Sequence, residues 1–179
     1  LKLKLPLPFR DVSQRFGINP QIYAQFGLKA HNGADYRAPA GTPIFASHDG
    51  IVTFTGEDGG GGLGVVIRTQ QQYEYQGQEV HFKTIYWHCK VGSFKVKPGD
   101  IVKTGDIIAE VDNTGFSTGN HLHFGLKPVI QGELDWQWEN LLDNNGYRGA
   151  LDPELFITMV ELKRVKGQKD TYVIGKDGK

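Results

Sequence analysis

The chain of 179 residues has one cysteine, Cys89, and one methionine. A single cysteine excludes a disulfide within the chain and therefore indicates little about the redox compartment. His88 precedes Cys89, but adjacent residues of a strand face opposite sides, so the two are not expected to form a catalytic pair. Cys89 is predicted to be a small residue of the core.

Net charge and long apolar runs are also lacking. The 20 basic and 20 acidic residues give a formal net charge of zero, which gives no reason to expect nucleic-acid binding or attachment to an anionic membrane surface. No apolar run is long enough to span a bilayer, and the opening LKLKLPLP is too short and too rich in proline for a secretory signal. The first residue is not methionine, so targeting information upstream is not excluded.

Glycine, in contrast, is abundant at 24 residues, and short β-branched and aromatic runs alternate with turn signals. This pattern predicts an all-β, mostly antiparallel core in a single domain. The predicted strands are 43–46, 50–56, 65–69, 72–75, 80–88, 101–102, 107–111 and 122–128. The glycine run at 59–62 is predicted to be a hairpin tip, because no Gly-Lys-Ser/Thr follows it as a phosphate-binding loop requires.

The most informative feature is a set of polar side chains spread along the chain. They are His31 and Asp35 in HNGAD, His88 in TIYWH, and His121 with His123 in HLH. On an extended segment, His121 and His123 would face one side while Leu122 faces the other. Two histidines and one carboxylate are a common ligand set for a catalytic zinc ion, which keeps its fourth position open for water. The remaining two histidines would then be available for acid/base chemistry.

These motifs resemble those of the lysostaphin/LytM-type zinc endopeptidases of peptidase family M23. The resemblance is carried by H-x-x-x-D, a later Tyr-x-His and a final H-x-H, within the segments FGLKAHNGADYRAPAGTPIFASHDGIV, TIYWHC and KVKPGDIVKTGDIIAEVDNTGFSTGNHLHF. It covers roughly residues 14–128. It implies an antiparallel β-sheet core of the LytM/lysostaphin type, similar to a duplicated hybrid motif, with a groove and short helical decoration.

The resemblance also implies a ligand set and two catalytic imidazoles. Position by position, His31, Asp35 and His123 match the ligands of one zinc ion. His121 and His88 match the catalytic histidines, and the choice of general base between them stays open. His121 shares a strand face with His123, and His88 is expected to share one with Tyr86, so that both imidazoles can face the same cleft. The family also tends to use a tyrosine upstream of the first ligand to bind the developing oxyanion, and Tyr23 is the candidate here.

Two smaller features near HLH leave their roles open. Asn120, in the turn at 118–120, is either a second hydrogen-bond partner for a ligand histidine or part of a plain turn. Gly125 follows HLHF where family members often carry glutamate or another polar residue. That departure removes no ligand, although it is expected to change the packing or the substrate contacts near the site.

The implied function is a zinc-dependent endopeptidase that hydrolyses amide bonds in the peptide stems or cross-bridges of bacterial peptidoglycan. Attack would come from a zinc-bound water assisted by histidines. The expected location is extracellular, periplasmic or otherwise facing the cell wall, in a secreted or phage-associated protein. The expected partner is a peptidoglycan peptide, with no nucleic acid and no membrane span, and the chain is expected to be a monomer or part of a larger protein.

The alternative is a catalytically latent or non-catalytic LytM-type module that binds peptidoglycan or activates a wall hydrolase. In a latent enzyme, a residue from segment 1–23 or from a region upstream of it would fill the groove. Degenerate modules usually lose one or more ligands, whereas this chain keeps all of them, which favours catalysis.

The predicted peptidase domain covers residues 1–160, with its core at about 14–128 and a C-terminal insertion or extension at 129–160. Residues 161–179 are predicted to be a tail or the start of a following segment, and their final TYVIGKDGK reads as a strand without its partner. The segment 132–150, which contains Trp136 and Trp138, is either an insertion packed onto the sheet or a wall of the groove. Asp152-Pro153 predicts a helix N-terminus, with the short helix extending through Phe156.

Overall fold

A computed structural model of the chain describes residues 1–132 and 138–158, together with 162–164 and 172–174. The strands within these ranges are β1 (Val12–Gln14), β2 (Ala34–Arg37), β3 (Pro43–Phe45), β4 (Gly50–Asp58), β5 (Gly62–Thr69), β6 (Tyr73–Tyr75), β7 (Gln78–Trp87), β8 (Ile101–Val102), β9 (Ile107–Glu110), β10 (His121–Gln131), β11 (Trp138–Asn140), β12 (Leu162–Arg164) and β13 (Tyr172–Ile174). Helical structure in the same ranges comprises α1 (Pro20–Tyr23) and 3-10 turns at Ala24–Phe26, Gly59–Gly61, Asp143–Asn145 and Pro153–Leu155. The prediction of an all-β protein with short helical decoration is confirmed.

Nine strands form one large sheet in the order β1-β2-β10-β7-β5-β4-β8, with β11 beside β10 and β6 beside β7. All of its strand pairs are antiparallel. Two further two-stranded sheets consist of β3 with β9 and of β12 with β13. The predicted antiparallel topology is therefore confirmed. No helix in the described part of the chain is long and apolar enough to cross a membrane.

The two faces of the large sheet differ in polarity because side chains alternate along each strand. On β10, Leu122, Phe124 and Leu126 are fully buried, and Tyr86 on β7 is buried on the same side. Ile44 of β3 belongs to the same hydrophobic cluster, so the small sheet β3–β9 contributes to this core. The opposite face of β10 carries the H-x-H histidines and is available for a site.

Each of the eight predicted strands is present with ends shifted by at most three residues. Four strands in the described part of the chain were not predicted, namely β1, β2, β11 and β12. The expectation that TYVIGKDGK lacks a strand partner is wrong, because β13 pairs with β12. All four unpredicted strands have only three or four residues, which is too short for alternation to stand out from a loop.

The predicted helix after Asp152 is present as a 3-10 turn, Pro153–Leu155, and ends one residue before the predicted end at Phe156. Asp152 caps it, because its side chain accepts a hydrogen bond from the backbone N–H of Glu154 at 3.0 Å. The predicted boundary between residues 160 and 161 falls outside the described residues, so the division into domain and tail stays a prediction.

Candidate metal centre and active site

Two adjacent strands bring an acid and a histidine side by side on the polar face of the sheet. Strand β2 pairs with β10 so that Asp35 lies directly opposite His123, and His121 lies opposite Arg37. Because side chains alternate, His121 and His123 share the face of Asp35, while Leu122 is buried on the core side. Register between two strands therefore places two histidines and one carboxylate together.

His31 reaches the same place from the loop before β2, and its side chain is fully buried. The Asn32-Gly33 turn folds the chain tightly against β10. A Cβ on Gly33 would stand 2.6 Å from Cε1 of His123 and 2.7 Å from the carbonyl oxygen of Phe124. Only glycine permits this approach, so the turn inside H-x-x-x-D has a steric reason.

Three side-chain atoms form a compact triangle at the floor of this site. Nε2 of His31 lies 3.0 Å from Nδ1 of His123 and 3.1 Å from Oδ1 of Asp35. Nδ1 of His123 lies 2.9 Å from the same carboxylate oxygen. These residues form a group of the kind that could hold a metal ion.

The chemistry of the donor set fits a cation. Nδ1 of His31 donates a hydrogen bond to the carbonyl oxygen of Arg15 at 3.0 Å, which leaves the lone pair of a neutral imidazole on Nε2. That lone pair faces a carboxylate oxygen and a second ring nitrogen, so a proton or a cation must lie between them. A tetrahedral zinc ion with bonds of about 2.0 to 2.1 Å holds its ligand atoms about 3.3 Å apart, close to the edges of this triangle.

Electrostatics keep the carboxylate of this triangle ionised. Burial disfavours the charged form of Asp35, but hydrogen bonds and positive charge from His123 and His31 outweigh burial and lower its pKa. Burial also lowers the pKa of His123, while the hydrogen bond with Asp35 opposes that shift. A carboxylate and neutral imidazoles are the protonation states that a metal ion requires.

Two further imidazoles stand beside the triangle. The ring centroids of His88 and His121 are 4.5 Å apart, and those of His88 and His123 are 6.2 Å apart. Nδ1 of His121 donates to the carbonyl oxygen of Gly119 at 2.8 Å, and Nδ1 of His88 donates to that of Thr114 at 2.6 Å. Both rings are thereby oriented by backbone carbonyls, with Nε2 left to accept a proton.

His88 reaches the site by a different route from the one predicted. The sequence interpretation placed it on the strand face of Tyr86, but β7 ends at Trp87 and Tyr86 is buried in the core. His88 has a left-handed backbone, with φ of 66°, which turns the side chain toward His121. Burial lowers the pKa of His88 to about 4, although the hydrogen bond to Thr114 opposes the shift.

Tyr23 lies against the first member of the triangle. Its ring stacks on His31 with centroids 5.1 Å apart, and its hydroxyl oxygen accepts a hydrogen bond from Nε2 of Gln14 at 2.6 Å. Burial, followed by the negative charge of Asp35, raises the pKa of Tyr23 to about 12. The structure thus brings together His31, Asp35, His123, His121, His88 and Tyr23, all the residues that the sequence analysis selected.

The supporting contacts come mainly from groups that the sequence did not reveal. Asn120 is exposed, and Nδ1 of His121 is held instead by the Gly119 carbonyl oxygen, with the Ser117 hydroxyl 3.2 Å away. His48, away from the site, is buried next to Thr84, with 2.9 Å between Nε2 and the hydroxyl oxygen. Backbone carbonyls carry no sequence signal because every residue has one.

Cys89 is a buried core residue, as predicted, and burial raises its thiol pKa to about 12. A thiol in that environment stays protonated at neutral pH. Cys89 therefore takes no part in the site even though His88 precedes it.

The C-terminal segment contacts the chain on both sides of Tyr23, at Phe16 and at Phe26. Nη2 of Arg148 donates to the carbonyl oxygen of Phe26 at 2.6 Å, and the rings of Tyr147 and Phe16 are 4.6 Å apart. Trp136 and the side chain of Trp138 lie outside the described residues, so their predicted packing stays a prediction.

Comparisons with known proteins identify the family and the fold of the chain. The sequence profile of peptidase family M23 matches residues 29–134. The peptidoglycan DD-endopeptidase ShyC of Vibrio cholerae is 40% identical over 124 residues, which are 68% of this chain and 26% of that protein. The chain spans about a quarter of the length of the curated relatives it matches.

Two solved structures show the same architecture. The catalytic domain of lysostaphin from Staphylococcus simulans superposes with a TM-score of 0.59 at 27% identity, covering 82% of this chain and 91% of that chain. A zinc-containing peptidase from Vibrio cholerae superposes with a TM-score of 0.57 at 26% identity, covering 78% of this chain and 39% of that chain.

Proposed function

Because the chain belongs to peptidase family M23, we propose that it is a zinc-dependent endopeptidase that hydrolyses amide bonds in the peptide stems or cross-bridges of bacterial peptidoglycan. The observation that carries the proposal is the buried triangle of His31, Asp35 and His123 with two oriented imidazoles beside it. The substrate class is supported by relatives named as peptidoglycan endopeptidases. The proposed place of action faces the cell wall, outside the cytoplasm, because that is where this substrate lies.

We assign the roles of the histidines from the ring nitrogens that remain available at the site. A zinc ion held by His31, Asp35 and His123 would supply an activated water and polarise the scissile carbonyl. His121 receives the proton of the attacking water on Nε2, which lies 3.7 Å from Oδ2 of Asp35, and passes it to the leaving amine. His88 faces His121 and provides a second imidazole beside the scissile amide bond.

Tyr23 is proposed to donate a hydrogen bond to the oxyanion that forms on the scissile carbonyl. Its hydroxyl oxygen already accepts a hydrogen bond from Gln14, so its own hydrogen is left for the substrate. A pKa of about 12 keeps that hydrogen in place at neutral pH.

The proposal is tested by comparing two variants from the same strand. His123→Ala removes a ligand, so we expect loss of both zinc and activity. His121→Ala leaves the triangle intact, so we expect one zinc per chain and a loss of turnover of about 100-fold or more. The measurements are zinc content by mass spectrometry and release of new amino groups from purified peptidoglycan.

Each unexpected outcome has its own meaning. Full turnover by His121→Ala would contradict its role in proton transfer. Bound zinc in the wild type without release from walls of several chemotypes would contradict the hydrolase and favour the latent or binding module.

A further inference from the structure

The polar face of the large sheet carries three successive rows of residues, each running across β10, β7 and β5. Strand register defines them as His123, Trp87 and Gly64, then Gly125, Ile85 and Val66, and finally Lys127, Lys83 and Arg68. The first row contains a member of the metal triangle. The third row, here called the cationic row, contains three basic side chains on neighbouring strands.

The cationic row lies within reach of a peptide bound at the metal triangle. Four residues along β10 separate Lys127 from His123, which corresponds to about 13 Å between their backbones. The intervening row offers no long polar side chain, because it consists of Gly125, Ile85 and Val66. An extended peptide advances about 3.4 Å per residue, so the backbone of the row lies about four residues from a bond at the metal. Because a lysine side chain extends several ångströms from its backbone, the ammonium groups can meet a peptide about two to four residues from that bond.

Like charges on directly opposed strand positions destabilise a sheet, and partial burial increases that cost. Lys83 and Lys127 are opposed in register, and both are half-buried. Burial, followed by positive charge from Lys83 and Arg148, lowers the pKa of Lys127 to about 8. The fold therefore holds two like-charged side chains on paired strand positions, at a cost in stability.

Acidic groups do not neutralise this pair within the described residues. Among them, neither Lys83 nor Lys127 has a carboxylate within 4.0 Å. The acids that influence Lys127 at longer range are Asp143 and Asp58, and both are exposed. Arg68 is turned toward the carbonyl oxygen of Thr69, to which Nη1 donates at 3.0 Å.

We propose that Lys83 and Lys127 form a binding subsite for a carboxylate of the substrate peptide, about two to four residues from the scissile bond. This inference rests on the proposed function, and it adds that the preferred peptide is anionic. Two adjacent ammonium groups suit one carboxylate, because each can donate a charge-assisted hydrogen bond to it. Binding relieves the repulsion that the free protein carries.

The test measures binding, so that it does not depend on turnover. The His121→Ala protein loaded with zinc is titrated with a synthetic peptidoglycan stem peptide and with versions in which each free carboxylate is amidated in turn. We expect one amidation to weaken binding by about 10-fold or more. Adding Lys127→Gln or Lys83→Gln should weaken binding of the free carboxylate peptide and abolish the difference between it and that amidated form.

The matched control is Lys95→Gln, which removes an exposed lysine outside the sheet. It should leave the preference for the carboxylate unchanged. Urea unfolding separates recognition from structure, because loss of a repelling, half-buried ammonium should leave Lys127→Gln at least as stable as its parent. If Lys127 had a purely structural role, Lys127→Gln would instead lower the stability of the protein and weaken the binding of all peptides equally.

The subsite is overturned if no peptide binds, if no amidation changes affinity, or if the preference survives in both lysine variants. Failure of the proposed function shows elsewhere, as a zinc-loaded wild type that releases no amino groups from walls. If the wild type hydrolyses walls but shows no preference for a carboxylate, the proposed enzymatic function stands and the proposed subsite is wrong.

Discussion

At the scale of single residues, the candidate site depends on glycine as much as on its ligands. Gly33 lies in the turn between His31 and Asp35 and has no room for a side chain, since an added Cβ would stand 2.6 Å from the His123 ring. One of the other nearby atoms is the backbone oxygen of Phe124, which cannot rotate away. The position of the His123 ring thus depends on a residue that has no side chain.

We therefore expect Gly33→Ala to weaken the metal site with all three ligands still present. The added methyl group should displace the His123 ring, reduce zinc affinity by about 10- to 100-fold, and lower the free energy of unfolding by about 1–3 kcal/mol. A competition titration with a chromogenic chelator measures the affinity. Gly119→Ala is the control, because nothing lies within 4 Å of its added Cβ. Equal affinities for the two variants would show that the Gly33 approach does not position the ligand.

The side chains of the candidate site could be predicted from the sequence, whereas the backbone groups that orient them could not. Alternation along one strand predicts that His121 and His123 face the same side, and it requires no tertiary information. The carbonyl oxygens of Arg15, Gly119 and Thr114 orient three imidazoles, but only folding brings them to those rings.

At the scale of elements, the position where β7 ends determines how His88 comes to lie beside His121. The predicted strand extended to His88, and alternation placed that side chain with Tyr86. The strand ends at Trp87, and the left-handed backbone at His88 turns its ring toward His121 instead. A single backbone dihedral therefore moves one imidazole from the core side to the site.

This dihedral predicts an order of stability among His88 variants. A left-handed backbone costs an ordinary residue about 1–2 kcal/mol, costs glycine almost nothing, and is least accessible to β-branched residues. We expect His88→Val to be less stable than His88→Gly by about 2 kcal/mol, with His88→Asn between them. All three variants lose the imidazole, so the differences isolate the backbone. Urea denaturation measures them, and equal midpoints for valine and glycine would contradict a left-handed residue 88.

At the scale of the whole molecule, the first residues of the chain complete the core. Leu3 and Leu7 are 1% and 3% exposed and belong to the main hydrophobic cluster. The backbone of Leu3 forms a parallel bridge with Ile157, since it donates to the carbonyl oxygen of Phe156 at 2.8 Å and accepts from the N–H of Thr158 at 2.9 Å. This part of segment 1–23 therefore packs into the core and bonds near residues 156–158.

The packing of Leu3 predicts a loss of stability without a gain in turnover. Leu3→Ala should lower the free energy of unfolding by about 2–5 kcal/mol because it opens a cavity in the core. Lys2→Ala, at the exposed neighbouring position, should have almost no effect. If segment 1–8 instead acted as a plug, its deletion would raise the release of amino groups from peptidoglycan at a temperature where the protein stays folded. We expect no such increase.

The sequence by itself determined the antiparallel β class, the polar face of β10 and the identity of the residues that converge on the site. These properties depend on local alternation, on turn residues and on side-chain chemistry, all of which are visible in a linear sequence. Tertiary structure decided which carbonyl orients each imidazole, how close Gly33 comes to His123, and that Lys83 lies opposite Lys127. Strand register and long-range packing set those relations. They join residues that are distant in sequence, so the linear sequence contains no local pattern that predicts them.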